Sequence, residues 1–87
     1  MKSLTDTQRD ALLRIQVVRD LATARLLRDY PDCTPSQWVS VYALRAVHRL
    51  RRRDIEALVK KGYLEERSTE GQGQAVRIVA SPSIQED

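Results

Sequence analysis

Residues 48–67 read HRLRRRDIEALVKKGYLEER, five arginines and two lysines set around a few aliphatic residues, then a glycine and a β-like run. How this stretch folds decides how the rest is read. At a helical spacing Ile55, Leu58 and Val59 share one side. Arg49, Arg52, Arg53, Glu56 and Lys60 fall within an arc of about 100° on the other side. Gly62 is a helix stop, and Lys60 and Lys61 stand in the last turn, where cations suit the carbonyl end of the helix. The pattern predicts a basic amphipathic helix over residues 48–61. Beyond it, Tyr63 to Arg67 and Ala75 to Val79 are strand-like, and the polar segment between them holds Gly71 and Gly73. A β-hairpin over residues 63–80 is expected, closed by Ser81 and Pro82. The polar, acidic residues 83–87 read as a disordered tail.

Working upstream, Thr34-Pro35-Ser36-Gln37 has the form of a capping box, with Thr34 as N-cap and Pro35 at the first helical position. It predicts a second helix over residues 35–44 that buries Trp38 with Val41 or Leu44. No Gly or Pro lies between Pro35 and Gly62, so a single helix over 35–61 is the competing reading. Against it, the 3-4 seam through Val41, Leu44, Ile55 and Leu58 would place His48 and Arg51 in its middle. The run Val39-Ser40-Val41-Tyr42 is also a poor helix former. A break near residues 42–48 follows.

Thr5-Asp6-Thr7-Gln8 is another capping box, and no Gly or Pro follows until Pro31. A helix over residues 6–29 is expected, about 36 Å long. It carries two apolar stripes. Leu4, Ala11, Leu12, Ile15, Val18, Ala22 and Leu26 share the side that would cover the core. Leu13, Val17, Leu21 and Ala24 lie roughly opposite and need a second partner. A second subunit is the expected one, making the chain a homodimer.

The chain has 87 residues, twelve Arg, three Lys and a net charge of +3. Between Arg45 and Lys61 stand seven basic residues and two acids, a local charge of +5, so the remaining residues sum to −2. Codon bias in a GC-rich genome would spread arginine evenly. Here it is concentrated on one predicted helix, where guanidinium forks match phosphates and guanine edges.

The order long helix, second helix, basic helix, glycine, hairpin resembles a winged helix-turn-helix domain, over roughly residues 34–80. Arg52-Arg53-Asp54-Ile55 through Leu58, Gly62 and Leu64 is similar to the R-R-D-L-x-x-L-x-x-x-G-x-[LIV] stretch in recognition helices of DeoR-type regulators. The hairpin is similar to the wing of MarR-type and LexA-type domains. The resemblance departs at Arg51, where an apolar residue is expected, and in the turn between helices 2 and 3, which lacks the usual glycine. It implies a mainly α fold with a small β-hairpin, Ile55, Leu58 and Leu64 in the core, and Arg52 and Arg53 facing a DNA groove.

A helix docked in the major groove would bring Arg49, Arg52 and Arg53 to base edges. Glu56 would accept from cytosine or pair with Arg52 or Lys60 along the helix, the second being favoured. Arg45, Lys60 and Lys61 would meet phosphates, as would Ser36 and Gln37 at a helix N-terminus. Arg67 and Arg77 flank a hairpin tip that carries Glu70 and no base, and would reach the phosphate backbone or the minor groove. The expected function is sequence-specific double-stranded DNA binding by a small, repressor-like transcriptional regulator, cytoplasmic and nucleoid-associated. The alternative is a winged-helix protein-interaction module or a replication or recombination accessory module.

Other classes are disfavoured. One cysteine, Cys33, excludes an internal disulfide and a Cys-based zinc cluster. Cys33 and His48 are better read as structural than as a nucleophile–base pair. Gly71-Gln72-Gly73 sits in a hairpin and is no nucleotide fingerprint. No enzyme, metal, cofactor, small-molecule ligand or membrane contact is expected.

Overall fold

The first helix, α1, spans Asp6–Asp29. The Thr5 Oγ1 accepts from the Gln8 N–H at 3.1 Å, and the Gln8 Oε1 accepts from the Thr5 N–H at 3.2 Å, so both halves of the capping box form. The computed structural model describes residues 3–71 and 73–80 of the chain. The expected tail over 83–87 and the Ser81-Pro82 stop lie outside the described residues.

After α1 come a two-residue strand β1 (Val39–Ser40), helix α2 (Val41–Ala46), helix α3 (Arg52–Lys60), and strands β2 (Leu64–Thr69) and β3 (Gly73–Ile78). The result is a small α/β domain of three helices and one three-stranded antiparallel sheet in the order β1-β3-β2. Val39 pairs with Val76, and Leu64 with Ile78. The helices cover one face of the sheet through a core of Ala11, Leu12, Ile15, Leu44, Ile55, Leu58, Tyr63, Leu64 and Val76, with Leu4, Val39 and Val41 at its margin. Each fully buried Leu or Ile in this set contributes about 2 kcal/mol by leaving water.

The expected hairpin forms as β2 and β3 beside three helices, and β1 joins it as a third strand. That strand corrects the second helix, read over residues 35–44. Residues 34–38 are not helical, and Ser36 accepts from the Trp38 N–H at 3.1 Å as a local turn. The real N-cap is Ser40, whose Oγ accepts from the Ala43 N–H at 3.4 Å. Placing Val39 in the ladder beside Val76 buries it. That burial and pairing outweigh one more helical turn, whose capping contacts are exposed and modest.

The break between α2 and α3 occupies residues 47–51, so a single helix over 35–61 does not form. Arg49 has φ +59, the left-handed region in which a glycine would be unstrained. The Leu50 N–H donates to the Leu44 carbonyl across it at 3.0 Å, and Leu50 packs on the core. Helix α3 therefore starts at Arg52, four residues later than the expected start at 48.

Its end is a Schellman turn. The Tyr63 N–H donates to the Leu58 carbonyl at 3.0 Å and the Gly62 N–H to the Val59 carbonyl at 3.1 Å, with Gly62 at φ +91. The chain thereby leaves α3 directly into β2, with Tyr63 and Leu64 turned into the core.

Candidate nucleic-acid interface

Arg52, Arg53, Glu56 and Lys60 stand together on the exposed side of α3, while Ile55 and Leu58 anchor the opposite side. The apolar anchors fix the helix rotation, so the outward arc is set by the core rather than by the charges. The Arg52 Nε donates to the Glu56 Oε2 at 3.0 Å, and both side chains are 59% exposed. Glu56 is thus paired along the helix. Arg53 and Lys60 make no ion pair with a described residue, and the same holds for Arg45, Arg49 and Arg51 around the turn. These exposed cations leave the side of the molecule around α3 and the turn before it with an excess of positive charge, although Asp10 and Asp54 line the same cleft as Arg49 and Arg51.

The structure does not bring every expected residue to this surface. Arg49 lies in the turn rather than on the helix, so the outward arc of α3 comprises Arg52, Arg53, Glu56 and Lys60 only. Lys61 is already occupied. Its Nζ donates to the Ser3 carbonyl at 2.9 Å and to the Gln8 Oε1 at 2.5 Å, tying the end of α3 to the start of α1. Two of its three N–H donors are used within the fold, which leaves one for the expected phosphate. Ser36 and Gln37 are exposed and stand in the segment before β1, not at a helix N-terminus.

Arg67 and Arg77 are on the hairpin, in contact with a residue that sequence reasoning had put inside a helix. Trp38 lies half-buried just before β1. The Arg67 guanidinium stands 4.3 Å from its ring centroid and that of Arg77 5.2 Å. Arg77 also donates to the Glu65 Oε1 at 2.5 Å, across the directly paired strands. Of the run after Trp38, Val39 and Ser40 form β1, while Val41 and Tyr42 already open α2.

On α1, the second apolar stripe is open to solvent. Leu13, Val17 and Leu21 are 52%, 56% and 61% exposed, and Ala24 is exposed as well. An open groove runs between this stripe and the turn after α2, with Val47 and His48 on the far wall. The core side of α1 is covered over Ala11, Leu12 and Ile15, while Ala22 and Leu26 are exposed. The second half of the helix therefore extends past the core along a molecule whose longest dimension is 38 Å.

Among the described residues no cluster of metal-ligating side chains occurs. No helix there is long and apolar enough to cross a membrane. No family model, curated protein or solved structure matches the chain.

Proposed function

We propose that this chain is a winged helix-turn-helix protein that binds double-stranded DNA in the cytoplasm and regulates transcription from its site. The observation that carries this reading is the outward face of α3, where Arg53, Lys60 and the Arg52–Glu56 pair project from a rigidly anchored helix beside a turn of unpaired arginines. The two short helices joined by a five-residue turn, followed at once by a hairpin, supply the scaffold that such a helix needs. In this arrangement α3 enters the major groove. Arg52 and Arg53 read guanine edges with bidentate forks, and Arg45, Arg49, Arg51 and Lys60 hold phosphates.

A twofold dimer fits the same reading. A second copy of α1 seated in the groove would touch Leu13, Val17 and Leu21 on one wall and Val47 on the other. Two α3 helices related by this axis would read a palindrome with half-sites about one helical turn apart.

The test is selection from a randomised duplex pool, with anisotropy on the selected sequence at two salt concentrations. Salt-sensitive binding that enriches a palindrome supports the reading. Salt-sensitive binding without enrichment points to an accessory role. No binding at low salt moves the basic face to an acidic protein partner.

A further inference from the structure

The outer face of the sheet, away from the core, carries a group that base reading by α3 does not use. Ser36, Trp38 and Arg67 line a cleft of about 310 Å³ there, between the segment before β1 and the hairpin, and Arg77 stands against the same indole ring outside it. Arg77 and Glu65 neutralise each other at 2.5 Å. Arg67 has no carboxylate partner among the described residues, and its contact is the indole face. A guanidinium stacked on a ring keeps its N–H donors directed outward in its own plane, free to pair with an anion. The Ser36 Oγ accepts from the Trp38 N–H, so its own O–H is left to donate.

We propose that Trp38 is the positioning residue of a phosphate site. The indole holds the Arg67 fork flat and ready, and Arg67 with Ser36 takes one backbone phosphate of the bound duplex. The inference rests on the DNA-binding reading and adds to it a contact made by the sheet. The chemistry favours a phosphate diester over a nucleobase, because guanidinium groups already occupy the ring that a base would stack on. Stacking lowers the entropy lost when the long Arg67 side chain is fixed, and Trp38 acts on binding through that term.

The full chain is titrated with a selected duplex at several salt concentrations, as wild type and as Trp38→Leu, Trp38→Phe, Arg67→Ala and the Trp38→Leu/Arg67→Ala pair. Arg67→Ala is expected to flatten the salt dependence by about one contact and to weaken binding by about three- to tenfold. Trp38→Leu is expected to lose most of that affinity although Arg67 is present, Trp38→Phe to restore it, and the double variant to bind like Arg67→Ala alone. Trp38 is the chain's one tryptophan, so its emission in the wild type is expected to change on saturation with the duplex. An unchanged emission at saturation overturns the assignment without any variant. So does Trp38→Leu binding with wild-type affinity and salt slope, while the DNA reading survives. Absence of duplex binding by the wild type overturns both.

Discussion

Glu56→Gln separates a helix-surface ion pair from a base-reading group. The Arg52–Glu56 contact is 3.0 Å long, i to i+4, with both side chains 59% exposed. Exposed pairs of this kind contribute about 0.3–0.5 kcal/mol, and a base preceding its acid is the weaker order. Losing it should lower the melting temperature by about 2 °C in a domain of this size. The effect on DNA binding has the opposite sign. In the proposed complex Glu56 would compete with a guanine for the Arg52 fork and repel nearby phosphates. Its removal frees the fork, a gain of about twofold from the pair energy alone. The lost negative charge adds to this, for a total of about two- to fivefold at 0.1 M salt. The assay is anisotropy on a selected duplex and on a scrambled duplex, with a thermal melt of the free protein. Both duplexes should bind more tightly. A loss of tenfold or more on the selected duplex alone would refute the argument. It would mean that Glu56 orients Arg52 on its base or accepts from a cytosine amino group.

Three other outcomes follow from the geometry. Gly62 sits at φ +91, and a Cβ built on it meets nothing within 4 Å. Gly62→Ala should therefore cost about 1–2 kcal/mol of pure backbone strain, and Gly62→Asn less, read by urea unfolding with an unchanged m value. Arg49 holds the left-handed position of the α2–α3 turn, so Arg49→Gly should be neutral or stabilising by up to about 1 kcal/mol. Arg49→Val should destabilise, and a clear loss of stability in the glycine variant would show that the Arg49 side chain supports the turn. Val17→Asp should convert the proposed dimer to a folded monomer in sedimentation and remove the concentration dependence of the melting temperature, because Val17 is 56% exposed in the single chain. Wild-type protein that sediments as a monomer at high concentration would remove the dimer.

The sequence was most legible where one local signal and the core agreed. Thr5 with Gln8 marked the start of α1, and Gly62 the end of α3, because each makes its decisive hydrogen bonds within a few residues. It was least legible where a distant partner decided. Thr34 with Gln37 offers the same local pattern as Thr5 with Gln8, yet Val39 pairs with Val76, thirty-seven positions along the chain, and the segment extends instead. Poor helix propensity over Val39 to Tyr42 was visible, but its meaning as a strand depends on the far side of the hairpin. The basic face was readable as a charge count. That Lys61 leaves it for Ser3 and Gln8, and that Arg49 leaves it for the turn, required the fold. Trp38 reads as a core residue in any pattern of apolar positions, and only the register of the sheet brings arginines against it.

The Lys61 tie has a consequence for the order in which the chain is made. Its ammonium reaches the Ser3 carbonyl across a sequence separation of 58 residues, and the same Gln8 oxygen that closes the capping box receives its other hydrogen bond. At synthesis rates of about 5–20 residues/s, residue 61 follows Ser3 by about 3–12 s. Once residue 29 is made α1 has its sequence complete, but its first turn lacks the cation that pins it and its core face lacks Ile55, Leu58 and Val76. The helix must wait for the last turn of α3, so an element made before α3 is locked only after it.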